Sequence, residues 1–281
     1  MNETPYMTIA IVTHRPEGIG RVADMQLPRI EGVEYVVSWQ SHGDAPVPPT
    51  LLSRTDIRIC RFDRQGVSAN RNNSISHARG EIVLIGDDDL IYYPDSLRQV
   101  MDIFRADPTL HYASFRYEGT DNKVYPPVSV SINPRPKNFH QTTFEVAFRR
   151  CPATAPLIFN EQFGPGICRF SAGEDSIFAM TARNLGLNCR FFPITICSHP
   201  GLTTGFRAVT DPGVTRTKGA AIALEHPLTL PLRLPLAAWR DSRSGRSPFF
   251  RSLRNLVSGA WLIMKDRTLW NSIRRPRGAN P

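Results

Sequence analysis

Through the first 120 residues, short runs of β-forming apolar residues alternate with stretches of helical period. "MTIAIVTHR", "VEYVVSW", "DIRICRF" and "EIVLIG" each end in polar or glycine residues, the pattern of parallel strands buried on both faces. Between the last two, "SANRNNSISHARG" predicts a helix with Ser68 near its N-cap and Gly80 just past its end. "PDSLRQVMDIFRADP" predicts another. Leu97, Val100, Met101 and Phe104 fall at i, i+3, i+4 and i+7, with Asp95 placed to cap the start and Pro108 after the end. Strands alternating with helices imply an α/β fold around a largely parallel sheet.

The pattern then changes. From about 111 to 150, "HYASFRYEG" and "TTFEVAFRR" alternate like antiparallel strands, separated by a loop holding Pro126, Pro127, Pro134 and Pro136. "GEDSIFAMTARNLG" predicts a helix from Glu174 to a stop at Gly186, followed by the strand "CRFFPITIC" and by "SHPGLTTG". After residue 210 the chain is rich in Pro, Arg and Ser, and then gives "SPFFRSLRNLVSGAWLIMKDR". Here Ser247 and Pro248 suit Ncap and N1. Phe249, Leu253, Leu256, Ala260 and Ile263 share a face, with Phe250, Val257, Trp261 and Met264 beside them. Arg251, Arg254, Lys265 and Arg267 make this a basic amphipathic helix. The expected organisation is a body over 1–210 and a basic helical extension over 211–281.

Composition narrows the class. The 281 residues are 41% hydrophobic and 21% charged, which excludes wholesale disorder and a bundle of membrane spans. Five cysteines without C-x-x-C spacing suggest packed thiols in a reducing compartment. Charge is unevenly placed: residues 201–281 hold 14 Lys/Arg and 4 Asp/Glu, +10 of the net +9, leaving −1 for residues 1–200. An anionic partner for the extension follows: lipid, nucleic acid or an acidic polymer. The apolar face containing Phe249 and Trp261 favours a lipid interface over nucleic acid, and the alternative is a helix packed on the body. The apolar run Met7–Val12 is shorter than a signal-peptide core, so the expected location is cytoplasmic with peripheral membrane attachment.

Four local features carry candidate chemistry. Asp87, Asp88 and Asp89 end the fourth strand, where a parallel sheet opens its ligand crevice; they read either as a solvated acidic turn or as a cradle for Mg²⁺ or Mn²⁺. Glu174 and Asp175 open a helix whose N-terminus stabilises carboxylates, a place for a proton acceptor and also a common place for acidic residues. His199 in "CSHPG" is a metal ligand, a phosphate contact or an ordinary loop histidine. Arg71, between Asn70 and Asn72, pairs with phosphate or base, or forms a surface ion pair.

In this order, "GVSANRNNSISHARGEIVLIGDDD", "FEVAFRR", "NEQFGPGICRFSAGEDSIFAMTARNLG" and "FFPITICSHPGLTTG" resemble family 2 glycosyltransferases of the GT-A fold, over roughly residues 7–206. The resemblance implies metal-dependent, inverting transfer of a sugar from a nucleotide-diphosphate donor to a glycan or polyprenyl-linked acceptor. By that likeness the triplet matches the DXD region: Asp89 would ligate Mn²⁺ or Mg²⁺, with Asp87 or Asp88 touching ribose or metal. Asp175 matches the carboxylate that deprotonates the acceptor, and Glu174 is its neighbour, an acceptor contact. His199 matches a position holding metal or pyrophosphate. Thr13, Arg15 and Arg71 match donor-binding positions. Where many members carry an acidic D-D-G-S turn after strand two, "SWQSHGD" offers Gln40 and Asp44 to the donor instead.

Transfer needs help at both ends, because a sugar hydroxyl is a weak nucleophile and the departing diphosphate gathers negative charge. The rival reading is a GT-A fold that binds nucleotide sugar or glycan without turnover. A nucleotidyltransferase fits less well, since no Gly-rich, Lys-containing triphosphate loop follows strand one.

Overall fold

Four parallel strands form one half of the sheet in a computed structural model, which describes residues 4–119, 123–199 and 211–276. They are β1 (Met7–His14), β2 (Val33–Gln40), β3 (Ile57–Phe62) and β4 (Ile82–Asp87), in the order β3-β2-β1-β4. The expected runs and the observed strands coincide. β1 and β2 lie almost wholly in the core, where Ile9, Ile11, Tyr35, Val37 and Trp39 are fully buried. Such runs form strands because β-branched and aromatic side chains suit a surface covered on both faces.

The other half of the sheet is mixed. β8 (Val146–Arg149) runs antiparallel to β4 and to β6 (Tyr112–Gly119), as the alternation predicts, whereas β6 is parallel to β9 (Cys189–His199). Two short strands, β5 (Ile91–Tyr92) and β7 (Val130–Ser131), pair antiparallel with β9.

Helix α4 (Pro94–Ala106) buries Leu97, Val100, Met101 and Phe104 against the sheet, as its period predicts. Its cap differs from expectation: Tyr93 is the N-cap and Asp95 sits in the first turn, where it pairs with Arg98 and the helix dipole favours it. Helix α3 (Val67–Ser76) starts after Gly66, and Ser68 is inside it, its hydroxyl donating to the Phe163 carbonyl at 2.6 Å. Two short helices, α1 (Gly18–Asp24) and α2 (Pro49–Leu52), were not legible in the pattern. Helix α5 (Glu174–Asn184) begins where expected. Of the cysteines, Cys189 and Cys197 are buried, but Cys168 is exposed.

The expected boundary at residue 210 lies outside the described residues, as does most of "SHPGLTTG". Beyond it stand α6 (Pro212–Glu225), α7 (Leu230–Arg243), α8 (Phe249–Lys265) and α9 (Arg267–Arg274). They are no loose appendage: Ala220, Leu234, Leu256, Ile263 and Ile273 share a core with Phe163, Phe170, Ile177 and Met180 of the body. Asn184 of α5 also donates to the Ile273 carbonyl of α9 at 2.8 Å.

The packed face of α8 contains the expected Leu256, Ala260 and Ile263, with Phe249 and Leu253 partly buried against the same core. It centres on Ser252, Leu256, Gly259 and Ile263, while Phe250, Val257, Trp261 and Met264 point outward. The helix is seated by a backbone-to-backbone crossing with α6. A Cβ on Gly219 would lie 2.0 Å from the Leu256 carbonyl oxygen, and one on Gly259 would lie 1.9 Å from that of Arg216, so only glycine permits the approach. Pro248, not Ser247, is the N-cap of α8.

Candidate functional site

Strand register brings the expected residues to one rim. Val12 pairs with Asp87 and His14 with Gln40, so Thr13, Gln40 and Asp87 all lie at the C-terminal ends of adjacent parallel strands. Asp88 and Asp89 follow at once. The short strand β5 then folds back on β9 with Ile91 opposite Ser198, which carries Asp89 to His199. Helix α5 directs its N-terminus, with Glu174 and Asp175 in the first turn, toward the same rim, where Arg71 meets it.

Arg71 is the hub. Its Nη2 donates to Asp87 at 2.9 Å and its Nη1 to Glu174 at 2.9 Å, and its side chain is 5% exposed. The guanidinium lies over Phe159, 5.6 Å from the ring centroid, and Phe159 stacks on Phe178 of α5. Arg71 is therefore not a surface ion pair. Burial works against its charge, but Asp87 and Glu174 outweigh that and hold it above the ordinary arginine value. The flanking asparagines pin α3 in three directions. Asn70 donates to the Thr13 carbonyl at 3.0 Å, Asn73 donates to Ser38 at 2.7 Å, and Asn72 exchanges two hydrogen bonds with the Phe159 backbone.

Asp88 is bound to the protein rather than open to a ligand. It accepts from the Thr13 hydroxyl and from Arg21 of α1, whose Nη2 lies 2.6 Å away; this hydrogen bond raises the Arg21 pKa. Gly18 makes that arrangement possible, since a Cβ there would sit 2.2 Å from Thr13 Oγ1. Asp89 and His199 form a separate pair, with Nε2 and Oδ2 3.3 Å apart. The His199 ring is 5.2 Å from that of Phe144 and stacked on it, and Tyr117 meets it edge-on. Burial pushes the Asp89 carboxyl up, against the pull of His199.

The two carboxylates of α5 differ. Glu174 takes Arg71 as its partner. Asp175 accepts the Ser176 N–H at 2.5 Å and, among the described residues, makes no salt bridge. Burial raises both; for Asp175 the Ser176 hydrogen bond and the charges of Lys123 and Arg71 offset part of the rise.

Arg15, Gln40 and Asp44 lie at the edge of this arrangement. Arg15 has a positive φ of 66°; its N–H donates to the Gln40 carbonyl at 2.8 Å and its own carbonyl accepts from Trp39. The Gln40 amide is spent on the Arg64 carbonyl. Asp44 is exposed in the loop after β2. Among the described residues no group of three or more His, Cys, Asp or Glu side chains converges on one point, so Asp87 does not join the Asp89–His199 pair. A carboxylate oxygen and an imidazole nitrogen at an open rim still fit a divalent cation that takes most of its ligands from phosphate and water. The sequence reading missed Arg21, Phe159, Phe144 and Tyr117. Their roles depend on contacts across elements, for which no spacing signal exists.

Residues 49–156 match the model of glycosyl transferase family 2, a span that contains Arg71 and the Asp triplet and ends before α5. No curated protein matches the chain. Among solved structures it is similar to Staphylococcus aureus TarS 1-349 in complex with UDP-GlcNAc, at 16% identity and TM-score 0.52, covering 77% of this chain and 66% of that one. It is also similar to the mannosyltransferase PcManGT from Pyrobaculum calidifontis in complex with GDP-Man and Mn²⁺, at 18% identity and TM-score 0.51, covering 97% and 74%. A mycobacterial protein aligns at 17% identity and TM-score 0.52, covering 77% and 74%. The chain spans just under two thirds of TarS 1-349 in its UDP complex, and at these identities the likeness is one of fold. The matched segment is thus similar to glycosyl transferase family 2, and it lies within a fold shared with GT-A glycosyltransferases.

Proposed function

We propose that this chain transfers a sugar from a nucleotide-diphosphate donor to a hydroxyl of a glycan or lipid-linked acceptor, with inversion at the anomeric carbon. The observation that carries the reading is the convergence on one rim of the parallel strands of the Arg71 hub, the Asp89–His199 pair and Asp175, which makes no salt bridge among the described residues. The family 2 match over residues 49–156 and the nucleotide-sugar complexes of the structural neighbours support it.

In this reading Asp89 and His199 hold Mn²⁺ or Mg²⁺, which when bound neutralises the diphosphate and stabilises it as a leaving group. Arg15 and Asp44 border the donor site, and Thr13 and Gln40 shape its floor. Asp87 and Asp88 act chiefly through Arg71, Arg21 and Thr13, keeping the rim fixed. Asp175 is the base. As the acceptor oxygen forms its bond to the anomeric carbon, Asp175 takes the hydroxyl proton, and the bond to the diphosphate breaks with the electron pair leaving on the diphosphate oxygen. Glu174 cannot easily share this work, because its carboxylate neutralises Arg71.

The test is a thermal-shift panel of UDP, GDP, dTDP and their sugar conjugates with and without Mn²⁺, followed by assay of diphosphate release with candidate acceptors. Expected are metal-dependent stabilisation by one nucleotide class and release that Asp175→Asn abolishes. Stabilisation without release by the wild type, across an acceptor panel, would favour a binding protein.

A further inference from the structure

The outward faces of the packed helices α7 and α8 carry the same chemistry, which the proposed transfer reaction does not use. On α7, Leu232, Leu236 and Trp239 recur at i, i+4 and i+7 and are 77%, 45% and 49% exposed, opposite the buried Leu234, Ala237 and Ala238. Leu228, just before α7, continues the line. On α8, Phe250, Val257 and Trp261 recur at i, i+7 and i+11, with Phe250 82% exposed, opposite the face packed on α6. The two helices pack on each other and are tied by one buried residue. Asp241 of α7 accepts from Ser252 of α8 at 2.8 Å and from Lys218 of α6 at 2.6 Å.

Charge complements these apolar stripes. Residues 228–276 contain ten Lys/Arg and two Asp. Both acids are occupied, Asp241 as above and Asp266 by Arg169 at 2.9 Å. The basic side chains border the apolar ones: Arg243 lies 5.3 Å from the Trp239 ring and Lys265 4.7 Å from that of Trp261, while Arg240, Arg251 and Arg254 are exposed beside them.

We propose that this two-helix face docks on the interface of an anionic lipid bilayer, with Leu232, Trp239, Phe250 and Trp261 entering the headgroup and acyl boundary and the arginines engaging lipid phosphate. Basic residues interleaved with exposed aromatic and aliphatic ones match that medium. A nucleic acid would use the charge but leave the Leu and Val side chains without a partner. A second copy would bring two strongly basic faces together. No helix among the described residues is long and apolar enough to cross a membrane, so the mode is surface docking.

The test is flotation of the full chain with phosphatidylcholine vesicles and with vesicles carrying phosphatidylglycerol, read together with emission of the exposed Trp239 and Trp261. Expected are binding and a blue shift with anionic vesicles only, weakened by salt. The triple variant Arg240→Glu, Arg251→Glu, Arg254→Glu should lower partitioning on the order of 100-fold. Phe250→Ser with Trp261→Ser should lower it by at least about tenfold. Both variants alter exposed side chains, and an unchanged melting temperature establishes that each is folded. Equal recovery of wild type with neutral and anionic vesicles, or unchanged flotation of both folded variants, would overturn the proposal. So would a stable dimer in sedimentation that the aromatic pair abolishes, which assigns the face to a second copy. Because no readout involves sugar transfer, failure here leaves the catalytic reading standing.

Discussion

Arg71 and the Asp89–His199 pair share a rim and are built in opposite ways. Arg71 is buried, binds two carboxylates, lies on an aromatic stack and is framed by three asparagines that each fasten a different segment. Asp89 is 42% exposed at its side chain and, among the described residues, its one salt bridge is the 3.3 Å contact with His199. The first arrangement satisfies its own charges internally and can hold a shape; the second sets a half-exposed carboxylate beside a buried imidazole, the pair that the proposed reaction would use to receive a cation and its phosphate. Adjacent aspartates in sequence therefore do different work. Asp87 and Asp88 face inward to arginines, and Asp89 faces the crevice.

The largest expected effect belongs to Asp175, which neither arrangement holds. Asp175→Asn should cut turnover by ~10³-fold or more while leaving donor-induced stabilisation within error. Full turnover by this variant would remove Asp175 from its role. In the proposed reaction the same group sets the acid side of the pH profile. The base must be deprotonated, and burial raises its pKa, so activity should be lost as pH falls through a value above the ordinary carboxylate range. A limb at or below an unperturbed aspartate contradicts this environment.

Next is Arg71→Met, which strands two carboxylates beside the Phe159 ring and should cost about 3–5 kcal/mol in urea unfolding. Arg71→Lys should restore little, because one ammonium cannot reproduce the two-armed bridge to Asp87 and Glu174. A loss below about 1 kcal/mol in the Met variant would mean the hub is ornamental. Asp89→Ala should leave unfolding nearly unchanged and weaken donor binding roughly 10–100-fold in Mn²⁺, with no change in its absence; His199→Ala should show the same metal dependence together with a loss of stability from the vacated stack on Phe144. Equal weakening with and without metal would erase the distinction between the two arrangements. The smallest effect is expected from Asn72→Ala, about 1 kcal/mol in urea unfolding, by leaving the Phe159 backbone pair unsatisfied.

Periodic features were the legible ones. The four parallel strands and α4 were readable because apolar spacing reports burial directly. The ordered motifs located the rim, since Asp87 to Asp89, Glu174, Asp175 and His199 lie at the ends of elements. What could not be read depends on tertiary approach. Arg71 finds its partners 16 and 103 residues away. Asp89 meets His199 through β5, a two-residue strand too short to leave a pattern. The buried face of α8 followed from its period, but the contact of Gly219 and Gly259 that seats it on α6 left no spacing signal. The caps assigned to Asp95 and Ser247 fell one or two residues out, as element ends do when several residues can serve.

The central claim is that Asp89 and His199, rather than the Arg71 hub, receive the divalent ion. Anomalous diffraction at the manganese edge from crystals soaked with Mn²⁺ and UDP or GDP tests it most directly. The account predicts a single strong peak bonded to Asp89 and His199, with diphosphate density against it and the Arg71 bridges intact. A peak ligated by Asp87 or Glu174 with Arg71 displaced, or nucleotide density remote from residues 87–89, would contradict it.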